Sequence, residues 1–172
     1  LIQRSIAILL LALAKLLTII DMTTFEELRN RGFVQQLSDE KEIESALNAG
    51  GTTFYVGFDA TADSLHVGHL LAIMAMAHLQ KAGHKPIAII GGGTTMIGDP
   101  SGKTEMRKIL SPEEINSNGE KLLSQLKRYL DFSNNKALFV NNADWLIGLN
   151  YIEFLRDIGK YFRVNEMIKM EA

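Results

Sequence analysis

Two histidines bracket a glycine at His66-Val67-Gly68-His69, and residues of these types at this spacing suit the binding of a nucleotide. The run before them, Phe54-Tyr55-Val56-Gly57-Phe58, is aromatic and β-branched and ends at Asp59, whereas residues 65–80 are mostly apolar and rich in helix formers. The histidines therefore fall on the first turn of a helix, where backbone N–H groups lack intrahelical partners and the positive end of the dipole favours phosphate. At i and i+3 the two imidazoles share one helix face, and each can donate to a phosphate or ribose oxygen. Gly68 lets a ligand approach the backbone closely. The plainer alternative is a pair of ordinary polar residues at a helix start. Zinc is a poorer fit, because His-x-x-His has neither a cysteine nor a third carboxylate ligand beside it.

A second candidate is Gly91-Gly92-Gly93 together with the stretch 98–104. A Walker A loop needs four residues between its first glycine and Gly-Lys-Ser/Thr. Here Gly98 and Gly102-Lys103-Thr104 enclose three, and Pro100 removes one of the cradling N–H groups. Taken alone, the stretch reads as a flexible surface turn. Beside the histidine pair, Lys103 and Arg107 read instead as mobile cations for a leaving pyrophosphate, on one face if the segment becomes helical.

These groups need a frame to hold them. Thr23, three residues before Glu26, marks a capped helix start, and 39–49 is a second helical stretch. Strand 54–58, helix 65–82, strand 87–90, helix 112–130, strand 137–140 and helix 152–162 follow. Strands alternating with helices predict an α/β fold with a parallel sheet, whose ligands bind at the carboxyl ends of the strands. The candidate residues lie just after those ends. No internal repeat or low-complexity tract interrupts the pattern.

The segment 55–69, Tyr-Val-Gly-Phe-Asp-Ala-Thr-Ala-Asp-Ser-Leu-His-Val-Gly-His, followed by Gly98-Asp99-Pro100-Ser101-Gly102-Lys103, closely resembles the bacterial tyrosyl-tRNA synthetases, a class I family. Asn141-Asn-Ala-Asp-Trp145 and Phe154-Leu-Arg-Asp-Ile-Gly-Lys-Tyr-Phe are similar to further family segments, so the likeness runs over about residues 22–167. Tryptophanyl enzymes share the histidine signature but not the tyrosine-bearing strand. The resemblance implies a Rossmann-like nucleotide-binding domain over residues 22–172, its second half incomplete.

It also implies a reaction. A tyrosine carboxylate attacks the α-phosphorus of ATP, giving tyrosyl-adenylate and pyrophosphate, and the tyrosyl group then passes to tRNA. The carboxylate is already a nucleophile, so alignment and charge stabilisation are what the enzyme supplies. By this resemblance Thr61 and His66 contact phosphate, His69 contacts ribose with Val56 near it, and Gly57, Asp59 and Gly68 complete the ATP site. Many family members carry cysteine at position 56, so this chain departs from the pattern there. Lys103 and Arg107 hold pyrophosphate, with Mg²⁺ entering as part of the ATP substrate and no tightly bound cofactor expected. Tyr55 binds the substrate hydroxyl, Asp99 its ammonium, and Asn142 lines the tyrosine pocket. A site that hydrogen-bonds a phenol hydroxyl rejects phenylalanine because its polar groups would be left unpaired, a rule for which this family is the standard example. The family's second hydroxyl-binding group, an aspartate, is expected after Ala172.

With 172 residues, 47% of them hydrophobic, the chain is long enough for one domain with a core. The absence of cysteine excludes a disulfide scaffold, and a net charge of −2 gives no basic excess for tRNA. Residues 1–21 stand apart. Residues 6–14 are apolar, preceded by Arg4 and containing Ala12-Leu13-Ala14, like a secretory signal, but Lys15 interrupts them and the run falls short of the ~20 residues of a spanning helix. We read them as an extension that is not native, with a signal or an appended amphipathic helix as the other options, and expect a cytoplasmic protein without a membrane role. The chain is expected to be truncated and nearly inactive alone, its full-length form a homodimeric ligase for tyrosine and tRNA. A small adenylyltransferase with a similar histidine signature and a non-catalytic remnant are the alternatives.

Overall fold

The computed structural model describes residues 22–97 and 110–168. Helix α1 (Thr24–Asn30) opens on a reciprocal cap: Thr23 Oγ1 accepts the Glu26 N–H at 3.2 Å, and Glu26 Oε2 accepts the Thr23 N–H at 2.9 Å. Helix α2 (Glu40–Ala49) starts behind Asp39, whose carboxylate accepts the Glu42 N–H at 3.0 Å. Then come β1 (Thr53–Phe58), α3 (Val67–Lys81), β2 (Lys85–Ile90), α4 (Gly92–Ile97), α5 (Pro112–Leu126) and β3 (Leu138–Asn141). Short helices α6 (Ala143–Leu146), α7 (Tyr151–Asp157) and α8 (Val164–Met167) complete the described chain, with single 3₁₀ turns at Ser133–Asn135 and Gly159–Tyr161.

The three strands form one parallel sheet in the order β1-β2-β3, with Tyr55 opposite Ile87 and Ile87 opposite Leu138. This matches the expected α/β frame. Strand β2 begins earlier than expected, because it accommodates a proline. Lys85 N–H bonds to Thr52 at 2.9 Å and Gly91 N–H to Phe58 at 2.9 Å, so odd-numbered residues of β2 face β1. Pro86, of opposite parity, turns its missing donor toward β3, whose first paired residue, Leu138, lies opposite Ile87. No ladder bond is lost, which is how a central strand tolerates proline.

One face of the sheet carries Phe54, Val56 and Phe58 in register with Pro86, Ala88 and Ile90. Helices α3 and α5 cover it with Ile73, Met76, Ile115, Leu122 and Leu126, all buried. Each such side chain contributes about 1.5–3 kcal/mol relative to exposure. On the reverse face, Tyr55 is 71% exposed and Gly57 lies open, while Ile87 and Ile89 are half-buried. Among the described residues, β1 pairs on one side only.

Two helices end earlier than expected. Helix α5 ends at Leu126 rather than at residue 130, although a further turn still buries Leu130. The last long helix stops at Asp157, before Gly159, a poor helix former. Helix α4 was not anticipated at all.

Candidate active site

Strand β1 delivers the chain into the site. Phe58 is buried in the core, Asp59 follows it, and Ala60 is fully buried before the loop emerges with Thr61 to Ser64 exposed. The loop ends at His66, which is the N-cap of α3. Its Nδ1 accepts the Gly68 N–H at 3.0 Å, and the Nδ1 of His69 accepts the His66 N–H at 3.2 Å. A histidine pair thus performs the exchange that serine and glutamate usually perform in a capping box.

The two rings lie 3.7 Å apart at 23°, stacked, and Phe58 meets His69 edge-on at 5.9 Å. Since each Nδ1 is an acceptor, the proton of each neutral ring sits on Nε2, leaving two donors free to meet a ligand. Desolvation is the main cause that holds His69 below the usual imidazole range; His66 adds to it and Asp59 opposes it.

Gly68 also has a role within the fold. A Cβ there would lie 2.8 Å from Cε1 of His66 and 3.0 Å from its Nδ1. The glycine therefore makes room for the capping imidazole, and its N–H is engaged by that ring.

The glycines after β2 are also not a surface turn. Gly91, Gly92 and Gly93 are buried, and Gly92 starts α4. A Cβ on Gly91 would stand 2.4 Å from Oδ1 of Asp59, and one on Gly92 would stand 2.2 Å from Oδ1 of Asn141. Side chains from the ends of β1 and β3 fill the space that these glycines vacate. Asn142 Oδ1 accepts the Gly93 N–H at 2.7 Å and its Nδ2 donates to Thr94 Oγ1 at 3.2 Å, while Thr94 reaches toward Asp59 at 3.5 Å. Thr95 Oγ1 accepts the Ala60 N–H at 3.2 Å.

Asp59, the histidines, the glycine cluster and Asn142 thus gather at the carboxyl ends of the three strands. Tyr55 and Gly57 sit on the uncovered face of β1, away from the helices that cover its other side. The amide of Asn142, expected in an amino-acid pocket, is occupied in bracing α4. Asp99, Lys103 and Arg107 lie outside the described residues. Thr94 and Thr95 escaped the sequence reading, although two threonines directly after three glycines were a usable sign, and Asn141 entered it only as part of a family segment. No group of three or more His, Cys, Asp or Glu capable of holding a metal occurs among the described residues.

The family model described as tRNA synthetases class I (W and Y) matches residues 47–172. A protein of Caldanaerobacter subterraneus named tyrosine–tRNA ligase is 58% identical over 151 residues, 88% of this chain and 37% of that protein. One of Clostridium tetani with the same name is 56% identical over 148 residues, 86% of this chain and 36% of its own length. The chain thus spans little more than a third of the curated relatives it matches. Among solved structures, a C-terminally truncated mitochondrial tyrosyl-tRNA synthetase of Aspergillus nidulans superposes with a TM-score of 0.73 at 26% identity, over 87% of this chain and 45% of that one.

Proposed function

The chain belongs to the class I tRNA synthetases of the tryptophan and tyrosine group, and from that premise we propose that it is the amino-terminal part of the catalytic domain of a cytoplasmic tyrosine–tRNA ligase. The observation that carries this reading is the stacked His66–His69 pair at the mouth of β1, with both Nε2 atoms free to donate. The tyrosine assignment, as opposed to tryptophan, draws on the 58% and 56% identities to tyrosine–tRNA ligases and on Tyr55 in β1.

In this reading ATP, entering as its Mg²⁺ complex, lays its phosphates along the start of α3. The tyrosine carboxylate attacks the α-phosphorus, the bond to the bridging oxygen breaks, and pyrophosphate leaves with that oxygen. Negative charge grows on the phosphoryl oxygens in the transition state. His66 Nε2–H, its ring held by the cap at the start of α3, and the Thr61 hydroxyl donate to it there. His69, kept neutral at physiological pH by the desolvation described above, donates to the ribose from Nε2. Lys103 and Arg107 take the pyrophosphate, Tyr55 the substrate hydroxyl and Asp99 its ammonium. Gly57, Asp59 and Gly68 shape the nucleotide side of the site. Asn142 acts by bracing Gly93 and Thr94 at the pocket floor. Transfer of the tyrosyl group to tRNA(Tyr) completes the cycle.

The full-length protein is further read as a homodimer. Tyr151, Ile152, Tyr161, Phe162, Val164 and Ile168 are each at least 60% exposed and offer apolar side chains for a second copy to cover. No helix of the described residues is long and apolar enough to cross a membrane.

The test is ATP–pyrophosphate exchange by the full-length protein. Exchange driven by tyrosine, and neither by phenylalanine nor by a phosphopantetheine-like acceptor, is the expected result. Exchange that is indifferent to tyrosine would overturn the ligase reading and favour an adenylyltransferase.

A further inference from the structure

Helix α5 has two working faces. Ile115, Gly119, Leu122 and Leu126 recur at helical spacing and are buried against the sheet. Asn118, Lys121 and Gln125, at i, i+3 and i+7, line a neighbouring polar stripe. From sequence such a stripe reads as a solvated surface. Here it grips the loop that joins β1 to His66.

Asn118 Nδ2 donates to the Ala60 carbonyl at 3.0 Å. Gln125 Nε2 donates to the Asp63 carbonyl at 3.2 Å, and its Oε1 accepts the Leu65 N–H at 3.0 Å. Lys121 Nζ lies 3.4 Å from the Asp63 carboxylate, with both side chains more than half exposed. With Thr95 holding the Ala60 N–H, the loop is fixed at both of its ends by side chains from other helices.

Burial cannot do this work. Thr61, Ala62, Asp63 and Ser64 are exposed, and an open pocket of about 220 Å³ is lined by Leu65, His66 and Val67 together with Gln125, Arg128 and Tyr129. Between Ala60, which is fully buried, and Leu65, which packs against the core, these exposed residues depend on hydrogen bonds for position. Gln125 spans the last three residues before His66 and supplies one donor and one acceptor.

We infer that Gln125, assisted by Asn118, is a positioning residue for the adenylation step, setting the height of His66 and Thr61 relative to the nucleotide without touching it. This rests on the ligase reading. Lys121 adds little, since an ion pair this exposed is screened by solvent.

The experiment uses the full-length protein, with wild type compared against Gln125→Leu and Gln125→Glu. Gln125→Leu is expected to lower kcat for tyrosine-dependent pyrophosphate exchange by about ten- to a hundredfold, the scale of a small misplacement of reacting groups. KM for tyrosine should stay within about threefold, because the tyrosine side chain is bound elsewhere. Gln125→Glu keeps the acceptor for Leu65 but regains a donor for Asp63 only when its carboxyl is protonated. Its kcat relative to wild type should therefore rise as the pH is lowered. A kcat unchanged in Gln125→Leu, or a ratio for Gln125→Glu that is flat with pH, would overturn the inference.

Amide hydrogen exchange at Leu65 separates this inference from the ligase reading. Protection at Leu65 that disappears in Gln125→Leu supports the grip even where wild type shows no pyrophosphate exchange, a result that would sink the ligase reading alone. Equal protection in both proteins sinks the grip alone.

Discussion

The loop after β1 and the turn after β2 meet in one site, yet they are held in opposite ways. The first is exposed and suspended by hydrogen bonds from α5 and α4. The second is buried and close-packed, its geometry enforced by three missing Cβ atoms. The difference teaches a division of labour: the suspended loop presents reactive groups and can be altered at little cost in stability, whereas the packed turn carries stability and presents only braced amides and hydroxyls.

The sharpest way to test that division is His66→Ala in the full-length protein. Loss of a transition-state donor should lower kcat for pyrophosphate exchange by about 10²–10³-fold. Thermal unfolding should show only the loss of a helix cap, about 1 kcal/mol. A large fall in melting temperature with modest loss of activity would erase the contrast.

Gly92→Ala is the complementary probe. Its Cβ would meet Oδ1 of Asn141 at 2.2 Å, so overpacking should cost about 1–3 kcal/mol in chemical denaturation. Adding Asn141→Ala to the same protein should restore part of that loss, because the clash partner is gone. Additive losses would show that the turn is not held by this contact.

The smallest effect comes from acid. In the folded protein His69 titrates below the usual imidazole range, so as the pH falls through that range the unfolded chain takes up the proton first. Its contribution to stability is whole above the usual imidazole range, declines on acidification through it and levels off below the folded value. Denaturation midpoints measured from pH 8 downward should fall more steeply in wild type than in His69→Gln. Equal slopes would mean that the histidine stack is not desolvated.

Much of the frame could be read in the sequence. Short aromatic and β-branched runs alternating with helix-forming stretches located β1, α3, β2, α5 and β3, and Thr23 with Glu26 announced α1. The histidine pair was equally legible, because its spacing and its place behind a strand need no tertiary knowledge. Helix α4 was hidden by its glycines, which local propensity reads as a breaker and which are needed there by side chains arriving from Asp59 and Asn141. The first residues of β2 were hidden by Pro86, whose harmlessness depends on where β3 begins. Asn118 and Gln125 gave no sign, since a polar helical stripe looks the same whether it faces water or a loop 60 residues distant.

Pro86 also sets a rule about length. Because it offers no donor to the side where β3 lies, β3 gains no ladder bond by starting further back, and the approach to Leu138 is held by side chains instead: Gln80 Nε2 donates to the Lys136 carbonyl at 3.3 Å, and Lys136 Nζ donates to the Asp131 carboxylate at 2.7 Å. From Leu138 to Asn142 the register itself sets the length, for one residue added there would carry the Asn142 amide away from Gly93. Proline opposite its entry and asparagine at its exit thus bound the length of β3 from both sides.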